Sequence, residues 1–265
     1  MKVVLFCGGL GTRLRELTGE IPKPMVKIGY RPIMWHLMKY YAHYGHKDFI
    51  LCLGYKADVI KQFFLQYEEW ISNDFTLSKG GSQLTLENND IEDWNITFVD
   101  TGLHANIGER LAAVRKYLTD EEIFLANYSD GLTDLDLPTM VDTFKASDKV
   151  ASFLAVRPSQ SFHLVHVDDE GDVASIQPVA ESNLLINGGF FVLRQEIFDY
   201  MEPGEELVVE PFRRLIKDRK LLGYRYERFW CMDTFKEQQQ LTDLYNSGRA
   251  PWEVWKPEPV GPFAG

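Results

Sequence analysis

With 265 residues, 45% hydrophobic and 13% aromatic, the chain can bury a sizeable core as one large domain or two small ones. The formal net charge of −11 argues against a general nucleic-acid-binding role, because phosphate backbones require a basic face. A few local cations can still hold a small anionic substrate. The sequence contains no run of about eighteen apolar residues and opens with no leader-like segment, so we expect a cytoplasmic protein without membrane association.

The predicted elements alternate between strands and helices through the first half of the chain. Strand-like runs are KVVLFC, DFILCLGY, NITFVDTG, IFLANYSDG and KVASFLAV, and the helical patterns between them are PIMWHLMKYYAHYG, KADVIKQFFLQYEEW, ERLAAVRKYL and LPTMVDTFKAS. Apolar strands separated by helices indicate a mostly parallel sheet covered on both faces. We therefore predict an α/β fold, a Rossmann-like three-layer arrangement.

The second half is less regular. HLVHVDDEGDVASIQ predicts a hairpin that turns at residues 170–171, LLINGGFFVLRQEIFDYM passes from strand to helix, and TFKEQQQLTDLYNSG predicts a final helix. Because no linker or repeat interrupts the chain, we expect a single domain over residues 1–265, with a core of about 1–235 and a C-terminal helix and tail over 234–265. The aromatic tail WEVWKPEPVGPF packs either on its own chain or on a neighbour, which leaves a homo-oligomer open.

A glycine-rich loop, CGGLGTRLRELTGEIPKPM, follows the first strand and predicts a phosphate site. Glycine lets backbone N–H groups approach phosphate oxygens, and the glycines concerned are Gly8, Gly9 and Gly11. A Walker loop is excluded because Thr12 and Arg13 stand where Lys-Ser/Thr is needed. A dinucleotide fingerprint, and with it an NAD-dependent oxidoreductase, is excluded because Leu14 replaces the third glycine.

Two cations follow these glycines. Arg13 offers a planar fork that suits phosphate oxygens, and Lys23, between two prolines, offers a restrained point charge. Together they suit a triphosphate whose leaving pyrophosphate must be stabilised. The alternative is a glycine turn with two solvated cations.

The motifs as a series resemble the sugar-phosphate nucleotidyltransferase family. GGLGTRL…PKPM resembles its signature loop, and PIMWHLM, DFILCLGYK, VDTG with GERL, YSDG, INGGFF, FWCMDT and GRAPWEVW follow in order over nearly the whole chain. VDTG, FWCMDT and APWEVW are most similar to glucose-1-phosphate cytidylyltransferases. The resemblance implies the nucleotide-diphospho-sugar transferase fold and transfer of CMP from CTP to a phosphorylated acceptor, with UTP or dTTP as alternative donors.

Two aspartates are candidate ligands of Mg²⁺. Asp130 ends the apolar strand IFLANYSD, where open α/β sheets bind ligands, and Asp233 follows FWCM. The resemblance implies that both hold the metal, and that Lys23, Arg13 and Asp130 take part in catalysis. The alternatives are a turn-forming Asp130 and a helix N-cap at Asp233.

Further nucleotide contacts are expected from Thr101 in VDTG and Arg110 in GERL. A helix N-terminus with an arginine can hold phosphate or ribose, whereas the alternative for Arg110 is a solvated helical side chain.

The acceptor half departs from the family pattern. Asn187 and Gly188 are present and are expected to contact the acceptor, but the family's Glu-Lys-Pro segment reads Gln-Pro-Val, with no lysine between Asp172 and Asn187. Arg157 is the nearest replacement cation. The acceptor is therefore either a sugar 1-phosphate or another phosphorylated small molecule, such as the phosphoglutamine that some relatives activate for capsule modification. A non-catalytic nucleotide or sugar-phosphate sensor is the competing hypothesis.

Overall fold

The structure is a computed structural model that describes residues 1–9, 21–158 and 162–256. Its strands are β1 Val3–Phe6, β2 Lys27–Ile28, β3 Arg31–Pro32, β4 Asp48–Leu53, β5 Phe75–Ser78, β6 Gln83–Leu86, β7 Asn95–Asp100, β8 Ile123–Tyr128, β9 Gly131–Thr133, β10 Ala151–Val156, β11 His163–Val167, β12 Val173–Pro178, β13 Ile186–Asn187, β14 Phe191–Arg194, β15 Leu221–Arg225 and β16 Phe229–Cys231. Its α-helices are α1 Ile33–His43, α2 Ala57–Leu65, α3 Ile107–Val114, α4 Leu137–Lys145, α5 Glu210–Lys217 and α6 Phe235–Asn246.

Eight strands form one central sheet, in the order β13-β10-β14-β8-β1-β4-β7 with β15 added alongside β10. Strand β1 runs parallel to both β4 and β8, and β4 runs parallel to β7. Strand β14 is antiparallel to β8 and β10, so the reversal lies in the later part of the chain. The predicted mostly parallel sheet is confirmed. The carboxyl ends of β1, β4, β7 and β8 meet at one edge, where a site can be built from several loops.

Alternate residues of the central strands pack into two separate hydrophobic cores. Val3 and Leu5 of β1 join the core covered by α1 and α4, whereas Val4 and Phe6 join the core covered by α3 and α5. A sheet that is apolar on both faces needs helices on both faces, which explains the continuous apolar runs of its strands. The three-layer prediction is confirmed.

Most predicted elements form, with several differences in detail. The helix predicted at ERLAAVRKYL begins two residues earlier, at Ile107, because Asn106 and Glu109 form a reciprocal capping box. The segment QEIFDY forms a 3₁₀ turn rather than an α-helix. The hairpin β5–β6 and helix α5 are additions that the sequence pattern did not predict. The predicted hairpin β11–β12 is present, and Gly171 adopts a φ of +92° in its turn.

The C-terminal segment packs on its own chain as far as Lys256. Trp252 is fully buried and donates a hydrogen bond from Nε1 to Nδ1 of His36 in α1 at 3.4 Å. Trp255 packs edge-on against Trp35. In the three described ranges, no helix combines the length and apolar character needed to span a membrane.

Candidate active site

A cleft of about 300 Å³ opens at the carboxyl ends of β1 and β8. The backbone of Gly8 and Gly9 forms one wall. The charged side chains that line the cleft are Lys23, Arg110, Asp130, Glu206 and Asp233. These residues are distant in the sequence, and the sheet brings them to one place.

Lys23 and the two candidate metal ligands form the charged centre of the cleft. The Lys23 Nζ donates to Oδ2 of Asp130 and to Oδ1 of Asp233, both at 2.5 Å. The antiparallel pair β9–β16 aligns the carboxylates, because Met232 N donates to Asp130 O at 3.1 Å next to the pair Gly131–Cys231. Burial alone would lower the pKa of Lys23, but the two carboxylates outweigh it and raise this pKa.

The N-cap interpretation of Asp233 does not fit the structure. Asp233 is not a helix N-cap, because Thr234 caps α6 and forms a capping box with Glu237. Asp130 and Asp233 both direct an oxygen at one cationic nitrogen, and their side chains are 30% and 29% exposed.

The donor set can be tested against Mg²⁺ by its chemistry. Mg²⁺ prefers oxygen ligands and keeps several waters, so that one or two carboxylates plus phosphate oxygens suffice. Two carboxylates that already converge on one cation fit this requirement. Among the described residues, no group of three or more His, Cys, Asp or Glu side chains is arranged to hold a metal by itself.

Arg110 is buried, with only 3% of its surface exposed, so the solvated alternative is wrong. Its guanidinium donates to Gly8 O at 3.1 Å, to Leu53 O at 3.1 Å and to Thr101 Oγ1 at 2.7 Å. Burial lowers the pKa of this guanidinium, and the neighbouring thiols of Cys52 and Cys7, followed by Asp100 and Glu109, offset only part of the effect. Gly8 is required next to it, because a Cβ on Gly8 would lie 2.0 Å from Nη1 of Arg110. Arg110 therefore joins the ends of β1, β4 and β7.

Thr101 lies directly after β7 and faces the same guanidinium. Its backbone N–H and its hydroxyl both donate to Leu53 O, at 3.0 Å and 2.8 Å. The Thr101 hydroxyl thus already donates to Leu53 O and accepts from Arg110. A nucleotide that contacts this hydroxyl has to share it with these two partners.

The turn that carries Asn187 and Gly188 is hydrogen-bonded to β10 and to β8. Asn187 Oδ1 accepts from Gly189 N at 2.9 Å, and Gly188 N donates to Leu154 O at 2.8 Å. Asn187 Nδ2 donates to the Tyr128 hydroxyl at 3.3 Å. Gly189 has a φ of +77° and leaves no room for a Cβ, which would lie 2.3 Å from Asn127 Oδ1.

The other predicted site residues fall outside this arrangement or outside the described residues. Arg157 follows β10 and is exposed. Gly11, Thr12 and Arg13 lie in residues 10–20, outside the ranges that the structure describes.

Three polar residues near the cleft were not predicted. Asn127 is fully buried within β8, and its Oδ1 accepts from the Phe190 backbone N–H at 2.9 Å. A polar residue inside the apolar run IFLANY is the signal that could have revealed it. The sequence around Tyr128 and Glu206 does not distinguish them as site residues. Glu206 lines the cleft and is hydrogen-bonded to the backbone of Ile107 at the start of α3.

Comparisons with known proteins identify the family and the fold. A family model described as nucleotidyl transferase matches residues 2–234. The glucose-1-phosphate cytidylyltransferases of Salmonella typhi and Salmonella typhimurium are each 40% identical over 259 residues, covering 97% of this chain and 100% of theirs. A solved UDP-glucose pyrophosphorylase complexed with UDP-glucose has the same fold, with a TM-score of 0.67 at 16% identity, covering 94% of this chain and 99% of that one.

The chain therefore belongs to the nucleotidyl transferase family. The resemblance to glucose-1-phosphate cytidylyltransferases and the nucleotide-diphospho-sugar transferase fold are both confirmed. Membership makes the protein a nucleotidyltransferase enzyme rather than a non-catalytic sensor.

Proposed function

We propose that this enzyme is a cytidylyltransferase that transfers CMP from CTP to a sugar 1-phosphate and releases pyrophosphate. The observation that carries the proposal is the convergence of Lys23, Asp130 and Asp233 beside the backbone of the glycine loop. CTP is favoured over UTP and dTTP because the relatives at 40% identity are cytidylyltransferases. Glucose 1-phosphate is the first acceptor to test, since it is named for both relatives.

The reaction is an in-line displacement at phosphorus. An oxygen of the acceptor phosphate attacks the α-phosphorus of CTP, a new P–O bond forms, and the bond to the bridging oxygen breaks with its electron pair leaving on pyrophosphate. A phosphate monoester is already nucleophilic at neutral pH, so no covalent enzyme intermediate is required. The work of the protein is to position both phosphates and to neutralise their charge.

The glycine loop and the cations hold the nucleotide phosphates in this proposal. The backbone N–H groups of the loop donate to phosphate oxygens, with Gly8 and Gly9 in the described cleft and Gly11, Thr12 and Arg13 in the adjoining segment. Arg13 and Lys23 stabilise the charge that develops on pyrophosphate. Arg110 and Thr101 keep the ends of three strands together beneath the nucleotide.

Asp130 and Asp233 would hold Mg²⁺, which neutralises phosphate charge and polarises the reacting phosphorus when bound. Lys23 occupies the place between the two carboxylates in the structure. We propose that Lys23 keeps these carboxylates together before the nucleotide binds and then exchanges them for phosphate oxygens.

The acceptor would lie against Asn187 and Gly188, with Arg157 as the cation for its phosphate. Because no lysine occurs between Asp172 and Asn187, a phosphorylated compound that is not a sugar, such as phosphoglutamine, is the second candidate acceptor. Either product would be a CDP-activated compound suited to capsule or polysaccharide biosynthesis.

Pyrophosphate release from a panel of substrates tests this proposal. CTP, UTP, dTTP and ATP are each combined with glucose 1-phosphate, other sugar 1-phosphates and phosphoglutamine, with Mg²⁺ and with a chelator. We expect magnesium-dependent release from CTP with a sugar 1-phosphate. Preference for UTP or dTTP would overturn the donor assignment, and activity with phosphoglutamine alone would replace the sugar acceptor.

A further inference from the structure

A carboxylate that the phosphate chemistry does not use lies in the same cleft. Glu206 belongs to the loop before α5, and its Oε2 accepts a hydrogen bond from the backbone N–H of Ile107 at 3.3 Å. Its Oε1 is buried and accepts no hydrogen bond from any described residue, a condition shared only with Ser152 Oγ. Ser152 lies on a central strand, away from the cleft, whereas Glu206 lines it.

A buried carboxylate oxygen without a donor is unfavourable, and native proteins rarely leave one unexplained. Burial raises the pKa of Glu206, and the backbone N–H groups of Ile107, Leu207 and Val208 offset part of this effect. The loop is nevertheless firmly placed, because Gly108 packs so closely against Glu205 O that a Cβ would lie 2.2 Å from it. The Glu206 carboxylate is therefore held in the cleft by its surroundings.

The neighbours of Glu206 indicate which substrate it faces. Glu206 and Tyr128 both line the cleft. The pKa of Tyr128 is raised to about 12, first by burial and next by the negative charge of Glu206. The Tyr128 hydroxyl in turn accepts from Asn187 Nδ2 at 3.3 Å. Glu206, Tyr128 and Asn187 thus follow one another toward the acceptor turn.

The charge of Glu206 indicates the kind of group it binds. A carboxylate repels phosphate oxygens, and the hydrogen bonds of the Arg110 guanidinium go to Gly8, Leu53 and Thr101 rather than to Glu206. The group that suits Oε1 of Glu206 is a neutral hydrogen-bond donor, and the hydroxyl groups of a sugar are donors of this kind.

We infer that Glu206 is an acceptor-binding residue whose Oε1 accepts a hydrogen bond from a hydroxyl group of the sugar 1-phosphate. The inference rests on the proposed function and deepens it, because it assigns recognition of the sugar to a loop separate from the Asn187 turn. It also predicts that acceptors without a hydroxyl at the matching position are poor substrates.

Steady-state kinetics of Glu206→Gln tests this inference, with Glu202→Gln as the matched control from the same loop. Glu202 is exposed and does not line the cleft. We expect Glu206→Gln to lower kcat/KM for glucose 1-phosphate by about tenfold or more, the usual effect of losing a hydrogen bond to a charged group, with KM for CTP changed by less than about twofold. Equal Tm values for the wild type and both variants exclude a folding defect.

Deoxyfluoro analogues of glucose 1-phosphate provide a readout that does not depend on the variant. The analogue that lacks the hydroxyl group bound by Glu206 should be a poor substrate for the wild type. Glu206→Gln should use this analogue no less well than the wild type does, because the hydrogen bond is already absent. A rise in KM for CTP instead of the acceptor would overturn the inference and assign Glu206 to the nucleotide. If the wild type is active and Glu206→Gln is equally active, the inference about Glu206 is wrong but the proposed function stands. If the wild type is inactive with every acceptor, the proposed function is wrong too.

Discussion

The guanidinium of Arg110 lies against the α-carbon of Gly8 and donates to its carbonyl oxygen at 3.1 Å. Through the same group Arg110 binds Leu53 O and Thr101 Oγ1. One buried side chain therefore links the first glycine of the glycine loop to the ends of β4 and β7. The shape of the phosphate site depends on a residue about a hundred positions away.

Gly8→Ala should therefore destabilise the protein, while Gly9→Ala should not. A Cβ at residue 8 would meet the buried guanidinium at 2.0 Å, whereas a Cβ at residue 9 meets nothing within 4 Å. We expect a loss of about 1–3 kcal/mol in the free energy of unfolding for Gly8→Ala. Urea unfolding of both variants measures the difference, and equal stabilities would contradict the packing of Arg110 against Gly8.

Asp130→Asn and Asp233→Asn should each abolish pyrophosphate release and leave the fold intact. Each substitution removes one carboxylate from the pair around Lys23 and one candidate ligand of Mg²⁺. Mg²⁺ with CTP should raise the Tm of the wild type by mass action and should do so less in either variant. Full activity in either variant would end the metal assignment.

His36 should make stability depend on pH between 7.5 and 5. It is fully buried, with Nε2 bonded to Ile28 O at 3.0 Å, and burial lowers its pKa from 6.5 to about 4. Because the folded state keeps His36 neutral, its contribution is present above pH 6.5 and is lost as pH falls toward 4. The expected loss between pH 7.5 and 5 is about 2 kcal/mol for this residue.

Urea unfolding at the two pH values checks this, with His36→Asn as the comparison. The variant should be less stable at pH 7.5, but its stability should fall by about 2 kcal/mol less on going to pH 5. His46, whose pKa is also lowered to about 4, titrates in both proteins and does not affect the comparison. The same pH dependence in both proteins would show that His36 is not the group responsible.

Asn127→Ala should weaken both the fold and acceptor binding. Asn127 accepts from Phe190 N and donates from Nδ2 to the Tyr41 hydroxyl at 3.1 Å, so its removal leaves two buried groups unpaired. Phe190 has a φ of +50°, which this contact helps to hold. We expect a loss of about 2–4 kcal/mol of stability and a higher KM for the acceptor. Asn95→Ala, at an exposed asparagine, is the control expected to change stability by about 0.5 kcal/mol or less.

The local sequence determined the elements and the candidate ligands. Continuous apolar runs predicted the parallel strands, period-3.6 patterns predicted the helices between them, and the order of motifs indicated the family. Asp130 was identified because it ends a strand-like apolar run, where this class of sheet binds ligands, and Asp233 because it follows FWCM. The family resemblance implied that both hold the metal.

Only the tertiary structure decided which side chains meet and what each one does. The sequence predicted that Arg110 either contacts the nucleotide or is a solvated helical side chain. The packing of α3 under β1, β4 and β7 instead buries it, and its guanidinium donates to two backbone oxygens and the Thr101 hydroxyl. Glu206 had no distinguishing local pattern, because its place in the cleft depends on the distant backbone N–H of Ile107, to which its Oε2 is hydrogen-bonded. Hydrophobic periodicity reports which face of an element is buried, whereas the pairing of polar groups depends on where distant loops meet.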